Sequence, residues 1–155
     1  MSDLLVRLYD LPPAASDGLA EQGIRIRHAM PYEKESVVSW VRTTFSARWA
    51  GECDVAFARQ PVSCFLAIRE RGVIGFACYE STARGFFGPI GVAPDRRTTG
   101  IGRALLLACL HAMREMGYAY AIIGGGSGAL PFYAKVAGAT EIPGSHPGLY
   151  VDMLR

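Results

Sequence analysis

A chain of 155 residues, half of them hydrophobic and about a fifth charged, is sized for one globular domain around one core. Its formal charge of +2, with no basic cluster interleaved with aromatics, excludes a nucleic-acid binder. No apolar stretch approaches the roughly 20 residues of a membrane span.

In chain order, the first 16 residues carry an early acid and only a short apolar run, unlike a secretory signal. Pro12-Pro13 prevents regular structure, so Leu11 to Gly23 reads as a linker. Residues 1–23 are therefore expected to be an arm or docking extension, with the domain at 24–155. Ile24 to Met30 alternates like a half-buried strand. Pro31 then suits a first helical turn, and Val37, Val38, Val41 and Phe45 keep helical spacing. Ser46 to Gln60 predicts a second helix. "VSCFLAIRE", "GVIGFACYE" and "GFFGPIGVAP" read as three successive strands separated by short turns. Ile101 to Met116 carries an apolar helical stripe that stops at Gly117. "YAYAIIGGG" is another strand, "ALPFYAKVA" a short helix, and "ATEIPG" and "GLYVDMLR" closing strands. The order predicts an α/β domain, a central twisted mixed sheet flanked by helices.

The four cysteines, Cys53, Cys64, Cys78 and Cys109, form no C-x-x-C pair, and three sit in apolar runs. They read as buried free thiols in a reducing compartment, so the expected location is the cytoplasm.

The stretch "RRTTGIGRALL" puts positive charge and two glycines at the mouth of a helix. Helix N-termini carry unpaired N–H groups and a partial positive charge, which suits an anion. A nucleotide P-loop would need a lysine that is absent here, and a dinucleotide fingerprint would need glycine where Leu105 stands. What fits is V-x-P-x-x-R-x-x-G-I-G: Val92, Pro94, Arg97, Gly100, Ile101 and Gly102.

This motif, with "ALPFYAKVAGATEI" downstream, resembles the GNAT superfamily of acetyl-CoA-dependent N-acetyltransferases, over residues 24–154. The resemblance implies the acyl-CoA N-acyltransferase fold and acetyl-CoA as co-substrate, with no metal required. It implies that Arg97, Thr98, Thr99, Gly100, Ile101, Gly102 and Arg103 cradle the pyrophosphate. Ile90 and Val92 would offer backbone groups to the pantetheine arm, and an N–H near Val92 would hold the oxyanion. Many relatives carry an asparagine where Gly126 stands in this chain; neighbouring Ser127 is the expected substitute contact. Tyr133 matches the tyrosine that protonates the departing thiolate.

The general base is less defined, because the strand before the glycine motif contains no acid. Glu80 is the nearest substitute, with Glu52, Asp54 and His146 as others acting through water. His28 and His111 read as structural or surface groups. Trp40, Phe45 and Trp49 read as core, with lining of the acceptor pocket as the other role. The expected partner is a small-molecule amine, without nucleic acid or membrane, and a homodimer is left open. Alternatives are another acyl-CoA donor on the same fold, or a non-catalytic acyl-CoA-binding regulatory module.

Overall fold

The computed structural model describes residues 1–14, 18–96 and 100–155. Seven strands build one sheet: β1 (Leu4–Arg7), β2 (Ile24–His28), β3 (Cys64–Arg69), β4 (Gly72–Tyr79), β5 (Phe86–Val92), β6 (Tyr120–Ile123) and β7 (Thr140–Glu141). Their spatial order is β2-β3-β4-β5-β6-β1-β7. Four α-helices flank it: α1 (Lys34–Thr44), α2 (Ala47–Ala56), α3 (Ile101–Glu115) and α4 (Leu130–Ala137). The mixed sheet flanked by helices is the fold class that the sequence predicts.

Side chains alternate across a strand, so each strand feeds two cores. Leu66, Phe76 and Cys78 pack under α1 and α2 with Val37, Val41 and Ala50. Ala67, Ala77 and Tyr79 face the other side, against Leu105, Cys109 and Met113 of α3. The helices start where the sequence provides for it. The Ser46 hydroxyl accepts from the Trp49 N–H at the mouth of α2, and Gly138 closes α4 at φ +66°.

The reading of residues 1–23 as an arm needs correction. Leu4–Arg7 is a strand inside the sheet, pairing antiparallel with β6 (Leu4 opposite Ile123) and with β7 (Leu5 opposite Thr140). Leu4, Val6 and Leu8 are fully buried. Burying each of these apolar side chains contributes roughly 1.5–3 kcal/mol, enough to seat a four-residue strand between two others. The linker reading applies only after it.

The expected closing strand "GLYVDMLR" is also corrected. Gly148–Tyr150 is a single 3-10 turn and residues 151–155 form no strand. The edge of β6 that such a strand would need is already taken by β1. Gly144 and Gly148, at φ +73° and +57°, turn the chain away.

Candidate active site

Among the described residues β5 and β6 form the one parallel pair in the sheet, and it is brief: only Phe86–Ile122 and Phe87–Ile123 are in register. The sequence explains why it stops. Gly88 takes φ +118°, which a side chain would oppose, and Pro89 has no N–H to give to a ladder. On the other edge, Tyr79 faces Phe87 while Ala77 faces Ile90, so two residues of β4 span three of β5. That extra residue is a bulge, a device that bends a strand and re-aims its groups. Beyond Phe87, β5 pairs with β4 only, leaving the edge from Gly88 to Val92 without a strand partner among the described residues.

Two other elements converge on this gap. A 3-10 turn, Pro94–Arg96, leads out of β5 towards α3. Gly100 stands at the mouth of α3 with φ +102°, a conformation that favours glycine, and its carbonyl accepts from the Ala104 N–H. By helix geometry the N–H groups of Ile101, Gly102 and Arg103 have no partner within α3. The Ile101 side chain is fully buried, so only its backbone can meet a ligand, whereas Arg103 is exposed. A Cβ on Gly102 would lie 3.6 Å from the ring of Phe132, which links the first turn of α3 to α4. Arg97, Thr98 and Thr99 lie outside the described residues.

Tyr133 follows Phe132 on α4. Its ring packs edge-on against Phe87 of β5 at 6.3 Å and against Phe132 at 5.2 Å. The residue is buried, and burial pushes its hydroxyl up to about 12, so it stays protonated across the neutral range. Among the described residues the hydroxyl has no hydrogen-bond partner. Tyr133 is thus a donor with its proton uncommitted, one ring away from the place where β5 leaves β6.

Ile90 and Val92 are half-buried on β5, opposite Ala77 and Gly75 of β4. Gly91 between them meets Phe45: a Cβ there would lie 2.5 Å from the ring. Phe45 in turn packs with Trp40, Trp49 and Phe76 at centroid distances of 5.3–5.6 Å. Trp40, Phe45 and Trp49 are half-buried, packed against the α1–α2 core, and Phe45 supports β5 from that side.

Two expected site residues are otherwise engaged. Glu80 is not an open base. Its side chain is 1% exposed, and it accepts from the Gly85 N–H at 2.6 Å and the Tyr118 hydroxyl at 3.0 Å, with Arg59 at 3.4 Å. Its φ of +62° is strained for a glutamate, and these donors offset a cost of about 1–3 kcal/mol. Glu80 organises the turn between β4 and β5. Ser127 is held by Ser2, just ahead of β1: its hydroxyl accepts from the Ser2 N–H, and its own N–H donates to the Ser2 carbonyl.

Of the other acids, Asp54 pairs with Lys34 at 3.0 Å on the surface. His146 lies 2.8 Å from the Met1 nitrogen. Glu52, half-buried on α2, accepts from the Thr82 hydroxyl at 2.5 Å. Burial first, and the negative charges of Glu52 and Asp3 after it, raise the Tyr150 hydroxyl above its ordinary value. That hydroxyl sits against Gly124, directly after β6. His28 and His111 contact the backbone carbonyls of Val62 and Pro12.

The sequence reading missed Asp3, which is buried and accepts from the Gly125 N–H at 2.7 Å. The signal was the alternation of Leu4, Val6 and Leu8. It also explains Gly126: a Cβ there would fall 2.7 Å from Ile123 and 3.1 Å from Leu4. With β1 in place, no side chain fits where relatives carry asparagine.

The model of the acetyltransferase (GNAT) family matches residues 34–139, over half of the chain. The chain belongs to this family. No curated protein matches the sequence. Among solved structures, a GCN5-related glucosamine N-acetyltransferase region of a fungal multi-domain beta-N-acetylglucosaminidase aligns with a TM-score of 0.70 at 16% identity, over 91% of this chain and 19% of that one. A GCN5-related N-acetyltransferase from Sphaerobacter thermophilus aligns at 0.67 and 21% identity, over 91% of this chain and 48% of that one. The chain thus spans half or less of these two relatives. A GNAT acetyltransferase from Brucella melitensis, solved with acetyl-CoA, aligns at 0.53 and 19% identity, over 71% of this chain and 80% of that one. At these identities the likeness is one of fold. The described residues include no helix long and apolar enough to cross a membrane.

Proposed function

We propose that this acyltransferase is an N-acetyltransferase that moves an acetyl group from acetyl-CoA to a primary amine of a small molecule, by direct attack in a ternary complex. The observation that carries this is the meeting of three features at one gap. They are the unpaired edge of β5 from Gly88 to Val92, the glycine-led N-terminus of α3, and the uncommitted hydroxyl of Tyr133. The residues fit acetyl-CoA. Unpartnered β5 backbone groups suit the amides of a pantetheine arm, and the N–H groups of residues 101–103, with Arg103, suit a diphosphate. The family neighbour solved with acetyl-CoA supports the donor, and the glucosamine N-acetyltransferase region supports a small amine acceptor.

Transfer to an amine needs a neutral nucleophile, a stabilised oxyanion and a protonated leaving group. Backbone N–H groups at the Val92 end of β5 hold the oxyanion. Tyr133 donates its proton to the leaving sulfur. Glu52 replaces Glu80 as the acid that accepts the amine proton through water, because its carboxylate remains partly accessible. In this reading the amine attacks the thioester directly, with no covalent enzyme intermediate.

The test is thiol release from acetyl-CoA with a panel of amino sugars, polyamines, amino acids and peptide N-termini. Acetyl-CoA alone should raise the melting temperature, and at least one small amine should give turnover. A melting shift without turnover on any amine leaves a binding module. Faster release from propionyl- or succinyl-CoA replaces the donor.

A further inference from the structure

On the α1–α2 side of the sheet, away from the gap, lies a second group of reactive side chains. The Sγ atoms of Cys53, Cys64 and Cys78 all lie within 4.8 Å of one another. They come from three elements: Cys53 from α2, Cys64 from β3 and Cys78 from β4, the last two directly opposite in the ladder. All three are free thiols with no exposed surface. A single buried cysteine packs as a small hydrophobe; three thiols side by side also offer ligand chemistry.

Thiolates around one metal ion at about 2.3 Å stand about 3.8–4.0 Å apart, so the cluster is within about 1 Å of closing on an ion. Among the described residues no histidine, carboxylate or fourth cysteine joins the group. Cys109 lies on α3 across the sheet, where its thiol meets the Ala77 carbonyl at 3.5 Å. Asp54, next to Cys53, turns outward to Lys34. Within the cluster, hydrogen bonds from the Cys64 and Cys78 thiols hold Cys53 below its ordinary value. The bond to Cys53 raises Cys64, and burial raises Cys78.

We propose that Cys53, Cys64 and Cys78 form a site for Cu(I), held by sulfur alone. Soft thiolates select Cu(I) or Zn(II). Structural zinc takes four ligands, and this sealed core offers three, a number that suits Cu(I). The ion enters as Cu(I), so no electron moves. All three thiols release their protons to solvent, so three thiolates around one Cu(I) leave the complex at a charge of −2. Local opening of α2 is the route in. Once bound, the ion ties α2 to β3 and β4 and fixes the helix that carries Glu52. The site itself does not depend on the acetyltransferase reading.

The test uses the whole chain, reduced and without oxygen, titrated with Cu(I) against a colorimetric Cu(I) chelator. One equivalent should be held against the chelator, with a rise in melting temperature and X-ray absorption showing sulfur neighbours only. Cys64→Ser and Cys78→Ser should lose that retention, while Cys109→Ser keeps it; melting curves confirm that each variant is folded. Should a variant fail to fold, the absorption spectrum of the unmodified chain decides. Four outcomes overturn the site: no copper retained, oxygen or nitrogen neighbours, zinc retained in preference, or two of the three cysteines isolated as a disulfide.

Discussion

The two halves of the sheet are built differently. From β2 to β5 each strand pairs with the next one in sequence, antiparallel, with four to six residue pairs in register. From β6 to β7 the middle strand comes from the other end of the chain, and β7 holds it by two residues. The halves meet at two parallel pairs, Phe86–Ile122 and Phe87–Ile123. The first half is held by its antiparallel ladders, the second by burial of Leu4, Val6 and Leu8. In the middle of the sheet the pairing is thus brief, and there the glycine and bulge of β5 leave an opening. The comparison separates residues that serve the opening from residues that hold the halves together.

The largest effect should come from the opening. Tyr133→Phe removes only a hydroxyl and leaves the ring against Phe87 and Phe132. Losing a positioned proton donor should lower the turnover number about 10²–10⁴-fold, with the acetyl-CoA dissociation constant nearly unchanged. With its hydroxyl pushed up to about 12, Tyr133 should also contribute no alkaline limb to the pH profile below about 10. Turnover within about threefold of wild type, with chemistry rate-limiting, would remove Tyr133 from the mechanism.

The second half is broken from the N-terminus. Leu4 is fully buried between β6 and β7, so Leu4→Ala should cost about 2–5 kcal/mol and lower the melting temperature by roughly 5–15 °C. Leu154→Ala, at a residue 93% exposed, should leave it unchanged. Equal drops for the two, read by calorimetry, would mean that the C-terminal segment shares the core after all.

The same contrast decides what the sequence revealed. Hairpins and helices are local: the alternation in β3, β4 and β5 and the stripe of α3 are written in adjacent residues, and the structure has them where the pattern puts them. The slot beside β6 is a choice between two distant segments of similar pattern, "DLLVRLYD" and "GLYVDMLR". Periodicity cannot decide which of them wins. Pro12-Pro13 drew the boundary on the wrong side of β1, and Gly126 looked like a lost contact rather than a residue crowded by Leu4. The glycine motif and the Phe132-Tyr133 pair were legible because their spacing is local. The engagement of Glu80 was not, since its partners Arg59, Gly85 and Tyr118 converge only after folding.

That difference gives a paired experiment on two glutamates. Glu52→Gln should lower the turnover number about 10²-fold at neutral pH with little change in melting temperature. Glu80→Gln removes the charged acceptor shared by Gly85, Tyr118 and Arg59. It should cost about 1–3 kcal/mol and lower the melting temperature by several degrees, leaving turnover of the folded protein near wild type. The reverse pattern in a kinetic and melting comparison would return the base to Glu80.

The smallest effect belongs to the first half, where one ion pair ties the end of β2 to the approach to α1. Arg27 holds both oxygens of Glu33 at 2.8 and 2.7 Å, and the carboxylate also accepts from the Met30 N–H. The Arg27 hydrogen bonds hold the Glu33 carboxyl below its ordinary value, against the opposing effect of burial. A carboxyl lowered on folding stabilises the native state fully above its unfolded value, and that stability is lost as pH falls through the folded one. The side chains are 29% and 24% exposed, so solvent screens the pair and its contribution is about 0.5–1 kcal/mol. Glu33→Gln keeps an acceptor for the Met30 N–H and removes the charge. It should lower the melting temperature by about 1–4 °C at pH 7, and the gap should start to narrow as pH falls through the ordinary glutamate value of about 4.3 and close once the lowered native carboxyl is itself protonated. A gap of constant size from pH 7 to pH 3 in scanning calorimetry would show that Glu33 acts through shape rather than charge, and that the connections of the first half owe nothing to this ion pair.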